Sequence, residues 1–193
     1  MVTTGRSHRY SSAPSSTRGL QPVSGINPLV LILGSFPSRR SLASNEYYGN
    51  PKNQFWKIIE NLFSIDHQLP YALRCSLLSG HGIALWDVLA SCSRPGSADS
   101  RIREPVFNDL AGFLVSHPTL RLVALNGAAA GSYFLKSGVP PALPSVILPS
   151  TSPANARSSL PEKVRQWEII RSVCCGDDKT GDEITVPSGI SGR

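Results

Sequence analysis

Residues Leu31–Trp56 read LILGSFPSRRSLASNEYYGNPKNQFW, and the way this stretch opens decides the fold class. Its apolar run starts one residue earlier, at Val30, and reaches Leu33 without a polar interruption before breaking at Gly34-Ser35-Phe36-Pro37-Ser38. A short unbroken apolar run closed by Gly and Pro predicts a strand buried on both faces. That is the signature of a parallel sheet covered by helices. In such a sheet ligands sit outside the carboxyl ends of the strands, which makes the GSFPS loop the first candidate for a site. Further on, Tyr47 and Tyr48 precede Asn50-Pro51. Pro suits the first turn of a helix, where its missing N–H has no partner to lose. The helix predicted there brings Asn53, Phe55 and Trp56 close to the first loop.

Outward from this stretch the same alternation continues. Phe55, Ile59 and Leu62, with Trp56 and Phe63, are spaced as the broad buried face of a helix. Ile83–Leu89 (IALWDVL) follows Gly80 and Gly82 as a second strand and leads into a long polar loop, SCSRPGSADSRI. Residues 105–116 are expected to be a helix, and Leu120–Gly127 (LRLVALNG) a third strand ending in Asn126-Gly127. The Ala-rich piece 128–135 is the return helix, Ser145–Leu148 a fourth strand running into PSTSPANA, and 160–172 a final amphipathic helix. Strands alternating with helices imply an α/β fold with one parallel sheet whose polar strand-end loops gather along one edge.

Residues 1–27 hold Arg6, Arg9 and Arg18, no acid and many Ser and Thr. They are expected to form a disordered basic tail, a composition that also suits a transit peptide. Residues 174–193, acidic and then rich in Gly and Ser, are expected to be a second tail. The single domain predicted between them spans 28–173. A chain of 193 residues with 40% hydrophobic content supplies enough core for one domain.

The net charge is +6, and residues 29–173 hold 14 Lys and Arg against 9 Asp and Glu, so the basic excess belongs to the domain. It favours a polyanionic partner. Cys75, Cys92, Cys174 and Cys175 contain no C-x-x-C pair, and the adjacent two are poor partners for each other. Free thiols and an intracellular setting follow, whether bacterial cytoplasm, nucleus or mitochondrion. His67, His81 and His117 lack metal-ligand spacing, so no metal is expected. No apolar run approaches the ~20 residues that span a bilayer.

Three strand ends carry polar sets: GSFPS with NPKN, LNG, and PSTSPAN. Each alone is ordinary turn chemistry. Together and in this order they resemble the uracil-DNA glycosylase superfamily, and within it the hypoxanthine-DNA glycosylase, or DNA-deoxyinosine glycosylase, family. The resemblance runs from Pro28 to Ile170 through GSFPS, YYGNPKNQFW, GIALWDVLASCSRPGSADS, LNG and LPSTSPANA. It implies a three-layer α/β/α architecture around a four-stranded parallel sheet, whose loops grip double-stranded DNA and rotate one nucleotide out of the stack. The implied activity is that of a monofunctional DNA glycosylase. It would hydrolyse the N-glycosidic bond of a deaminated base, hypoxanthine first and uracil or xanthine as further substrates, to begin base excision repair. Flipping is required because the reacting atoms are inaccessible in a paired helix, and it costs a few kcal/mol, least at a damaged pair.

The resemblance also distributes roles. In relatives the first loop is similar to GINPG or GQDPY, with a water-positioning Asn or Asp at its third position. Phe36 stands there in this chain and cannot hold a water, which leaves it as part of the base pocket. The catalytic role then passes to Asn53, whose amide oxygen orients a water without removing its proton. A capping hydrogen bond is the alternative task for Asn53. Tyr48 falls where mismatch-specific relatives stack an aromatic on the extruded base; otherwise it packs on Phe55. Asn126 falls where several members read the base, with a donor and an acceptor that suit the O6 and N1–H edge of hypoxanthine; otherwise it makes an Asn-Gly turn. Ser150 takes the place of the His in the H-P-S-P-x-S/N loop.

Ser35, Ser38, Lys52, Ser152, Asn155 and Arg157 are the expected DNA contacts, with Ala154 or Asn155 pressing into the gap and Arg39, Arg40, Arg94 and Arg101 on the rim. No cofactor is implied, since the cysteines lack the spacing of an iron–sulfur site. Lys52 is a phosphate contact rather than a Schiff-base lysine. A monomer is expected. Two other classes remain: a catalytically inactive relative that binds DNA or a protein, suggested by Phe36, and a small-molecule nucleoside or phosphate hydrolase, which would have a closed pocket without a basic rim.

Overall fold

The computed structural model describes residues 16–139 and 143–176. Through these the chain runs β1 (Thr17–Arg18), β2 (Val30–Gly34), α1 (Arg39–Ser44), α2 (Phe55–Phe63), α3 (Tyr71–Gly80), β3 (Ile83–Asp87), β4 (Leu89–Ser93), β5 (Arg103–Phe107), α4 (Leu110–Ser116), β6 (Leu122–Asn126), α5 (Ala128–Lys136), β7 (Ser145–Leu148) and α6 (Leu160–Cys175). Four strands form a parallel sheet in the order β3-β2-β6-β7.

Every residue of β2 is buried, because its side chains divide between two helical layers. Val30 and Ile32 join Phe55, Ile59, Leu78 and Trp167 from α2, α3 and α6. Leu31 and Leu33 join Leu110, Phe113 and Ala130 from α4 and α5 on the opposite face. The unbroken apolar run thus meets an apolar partner on each side, and the α/β/α layering follows. Trp167 in α6 and Phe55 in α2 are both 0% exposed and meet edge to face at 5.9 Å. Burying side chains of this size contributes about 1.5–3 kcal/mol each. Because the strands are parallel and paired Gly34 to Asp87 and Asn126 to Leu148, their carboxyl ends line up along one edge.

Several expectations are corrected. The apolar stretch 83–89 is two strands: β4 leaves the parallel sheet after Val88 and pairs antiparallel with β1 and β5. Residues 103–107 are therefore strand, and the helix expected over 105–116 is confined to α4, whose Asp109 cap accepts from the Gly112 N–H. The helix expected from Pro51 starts at Phe55; residues 50–53 form a turn in which Asn50 accepts from the Lys52 and Asn53 N–H groups. Residues 16–27 are not a tail. Thr17 and Arg18 pair with Cys92 and Ser91, and Val23 bridges Leu85, covering the otherwise open edge of β3. At the other end α6 runs to Cys175, with partly buried Cys174 packed on the core.

The remaining residues of both expected tails, 1–15 and 177–193, lie outside the described residues. The four cysteines are free thiols. Among the described residues no helix is long and apolar enough to cross a membrane.

Candidate active site at the strand ends

A cavity of about 510 Å³ opens at the carboxyl edge of the parallel sheet. Its walls come from the first loop and α1 (Gly34–Ser41), the segment carrying Tyr47, Tyr48, Asn50 and Asn53, Asp87 at the end of β3, Ser97–Asp99, Asn126 at the end of β6, and Ser150–Ala154 after β7. Segments far apart in sequence converge here, and the amide at position 53 shares one cavity with the bend at Gly34.

Asn53 is half-buried, just outside α2. Its Oδ1 accepts from the Phe55 N–H at 2.9 Å, a loop-to-helix hydrogen bond from the residue before the Gln54 cap. A carbonyl oxygen has a second lone pair, which leaves one acceptor site and the amide donors for a ligand or water. Tyr48 adopts a left-handed backbone at φ 57, rare for an aromatic residue. The turn lays its ring on Phe55 at 3.9 Å and 19° between planes, as the packing alternative foresaw. Its hydroxyl lies near Asn126 and Asp87 without a well-formed hydrogen bond.

Asn126 is locked to the fourth loop. Its Nδ2 donates to Thr151 Oγ1 at 2.9 Å, and its Oδ1 accepts from the Thr151 N–H at 2.9 Å. Thr151 is fully buried, and its carbonyl accepts from the Gln54 N–H, so one residue joins β6, the fourth loop and the start of α2. Gly127, at φ 97, permits the approach, since a Cβ there would stand 2.7 Å from that of Ser150.

Phe36 lines the cavity by position, yet its ring is only 7% exposed and packs with Leu89, Cys92 and Ile102. The Arg94 guanidinium lies 5.0 Å above that ring, donates to the Pro37 carbonyl and stands 3.5 Å from Asp99. Arg94 therefore anchors the first loop and is no free rim charge. Ser35 faces the Asp99 carboxylate. Ser38 caps α1, accepting from the Ser41 N–H.

Ser150 Oγ accepts from the Ser152 N–H, and Asn155 Nδ2 donates back to the Ser150 carbonyl. Asn155 thus closes the turn, while Pro153 and Ala154 form its exposed tip. Lys52 and Arg157 are exposed and lie outside the cavity lining, as does Arg101; Arg39 and Arg40 line it.

Three groups escaped the sequence reading. Asp87 is 3% exposed, and its Oδ2 has no partner. Burial, reinforced by the Asp99 charge and opposed by Arg94, pushes its carboxyl up to about 8. A lone acid ending an apolar strand was the signal available for it. Thr151 offered no signal. Lys163, 1% exposed on α6, donates to Gln54 Oε1 at 2.7 Å and to the Asn155 carbonyl at 3.0 Å, bracing the fourth loop, and burial lowers its pKa. Away from the cavity, Glu60 Oε2 and His67 Nδ1 lie 2.7 Å apart beside Asp66, a contact that the spacing of His67 did not foretell.

The sequence pattern of the uracil DNA glycosylase superfamily matches residues 22–171. This chain belongs to that superfamily. It is 38% identical over 155 residues to a Methanosarcina acetivorans protein named hypoxanthine DNA glycosylase, covering 79% of this chain and 96% of that one. A protein of the same name from Methanosarcina barkeri is 35% identical over 117 residues, covering 60% and 74%. The fold is similar, with a TM-score of 0.72, to the solution NMR structure of a Methanosarcina acetivorans protein provisionally assigned as a uracil DNA glycosylase, at 35% identity over 82% of this chain and 99% of that one. As a superfamily member this chain keeps the four convergent strand ends, while the ring at position 36 is turned into the packing beneath the first loop.

Proposed function

We propose that this protein is a monofunctional DNA glycosylase that removes a deaminated base, hypoxanthine first, from double-stranded DNA. In this reading it acts as a monomer of one domain. The observation that carries this reading is the convergence on one cavity at the sheet edge of Tyr48 and Asn53, from the segment before α2, with Asn126, from the end of β6. The relatives' names support hypoxanthine as the substrate. Free thiols suit an intracellular, reducing setting.

The chemistry follows from what the cavity holds. Asn53, pinned by the Phe55 N–H, orients a water with its remaining lone pair but cannot ionise it. Cleavage is therefore dissociative: the sugar cation forms first and water adds second. Tyr48 supplies the wall against which the base stacks, worth ~1–3 kcal/mol. Asn126, held by Thr151, offers its remaining N–H and lone pair to the base edge.

Labelled duplexes containing hypoxanthine, uracil or xanthine, treated with alkali after incubation, test the reading. Hypoxanthine duplexes should break only after alkali. Asn53→Ala should slow single-turnover excision about 100-fold. Asn53→Asp, which keeps an acceptor for both Phe55 and water, should retain far more activity. Breaks without alkali would refute the monofunctional assignment. Salt-sensitive binding with no product from any lesion would identify an inactive relative instead.

A further inference from the structure

Among the described residues, the two buried side-chain polar atoms without a hydrogen-bond partner are Tyr48 Oη and Asp87 Oδ2, and the residues that carry them both line this cavity. A phenol on a stacking wall has an obvious reason to be there. A buried carboxyl does not, and leaving such a group unpaired is costly.

Its surroundings say which form it takes. Arg94 is the cation that acts on it, but that guanidinium is engaged by the Pro37 and Ser97 carbonyls and by Asp99. Asp99 repels a second negative charge, and the facing phenols of Tyr47 and Tyr48 carry none at neutral pH. Behind it stands Gly34, where any Cβ would collide with Asp87 Oδ1; the glycine makes the room that the carboxyl fills. A carboxylate here would be bare, whereas a carboxylic acid is tolerated. Its O–H then needs an acceptor that the protein does not supply.

We propose that Asp87 is the acid of the reaction: as a neutral carboxylic acid it hydrogen-bonds N7 of the extruded purine and passes its proton there as the glycosidic bond breaks. This rests on the glycosylase reading above. The C1′–N9 bond breaks with its electron pair moving into the purine, the proton moves from Asp87 to N7, and hypoxanthine leaves neutral. The new carboxylate faces the sugar cation. The water oriented by Asn53 bonds to C1′, and its proton returns to Asp87 through solvent, which restores the starting state. The raised pKa of about 8 keeps the acid loaded at neutral pH, and excision should fall as pH rises through that value.

The test is single-turnover excision from a hypoxanthine duplex between pH 6 and 9.5 by wild type and Asp87→Asn, with 7-deazahypoxanthine and uracil duplexes alongside. The same duplex serves both proteins, so ionisation of the base itself cancels. Asp87→Asn keeps the shape and a donor but has no proton to give. It should lose about 10²–10⁴-fold on hypoxanthine at pH 7 and should lack the wild-type decline above pH 8. Uracil has no N7 to protonate, so any uracil excision should lose far less from the substitution than hypoxanthine excision does, and the 7-deaza duplex should resist the wild type.

An Asp87→Asn rate within about threefold of wild type, or wild-type cleavage of the 7-deaza duplex at the hypoxanthine rate, would overturn the proposal and leave the glycosylase reading standing. Wild type that binds the hypoxanthine duplex and releases nothing at any pH would overturn both. Should Asp87→Asn fail to fold, read by loss of duplex binding, the wild-type pH profile and the 7-deaza duplex decide alone.

Discussion

Asp87 couples the chemistry of the cavity to the stability of the fold, and the sign of that coupling is fixed. Its carboxyl has a folded value near 8 against an ordinary 3.8. Below pH 4 both states carry the proton. Between 4 and 8 the unfolded chain releases it while the folded chain keeps it, so stability falls as pH rises, and it levels off above 8 once both are ionised. Asn at this position has no proton to count. Comparing melting temperatures of wild type and Asp87→Asn from pH 4.5 to 8.5 should show the gap shifting in favour of Asn by several degrees, since ~1 kcal/mol moves Tm by about 2–4 °C in a chain of this size. A gap independent of pH would mean the carboxyl is ionised in the folded state. Asn53 presents the opposite case. Its oxygen serves the backbone of α2 and keeps a second lone pair, so the two tasks that its sequence position allowed are compatible.

At the scale of elements, legibility tracked how local the cause was. The runs at Val30 and Leu122 could be recognised because burial on two faces writes itself as unbroken apolar sequence, while the edge strand β7, with Ile147 exposed, showed only through its short apolar run. β4 and β5 could not, because Leu89–Ser93 and Arg103–Phe107 lack such a run and owe their strand form to each other and to β1. Pro51 misled because its turn is closed by Asn50 hydrogen bonds and ends before the helix begins. In the cavity, Asn53, Tyr48 and Asn126 were singled out by the family resemblance, since their residue types are ordinary at turns. Thr151 was not, since its importance lies in joining three elements that meet only in space. That joint can be weakened at one atom: Thr151→Val keeps volume and backbone but strips the acceptor from Asn126 Nδ2. Denaturant titration should show a loss of about 1–3 kcal/mol, the cost of an unpaired buried amide, together with slower hypoxanthine excision as Asn126 loses its fixed orientation. Unchanged stability would show that Asn126 finds another partner.

Over the whole molecule, charge decides how the cavity meets DNA. Among the described residues, Arg74, Arg94 and Arg171 pair with acids, whereas Arg39, Arg40, Arg101, Arg103 and Arg157 expose their side chains outside those pairs. Arg39 lines both the base cavity and a neighbouring groove that also holds Arg103, so positive charge continues from the mouth across the small sheet. The exposed guanidinium groups of Arg39 and Arg103, with Glu104 the one acid lining that groove, are placed to displace counterions from phosphates. If about four phosphates are neutralised, the logarithm of the binding constant should fall with the logarithm of salt at a slope near −3.6. Arg103→Ala should flatten that slope by about one. It should do so equally for damaged and undamaged duplexes, because a phosphate contact is blind to the base. Fluorescence anisotropy across a salt series distinguishes this from a local effect on the cavity, in which Arg103→Ala would weaken only the hypoxanthine duplex and leave the slope unchanged; that outcome would place the backbone path elsewhere on the surface.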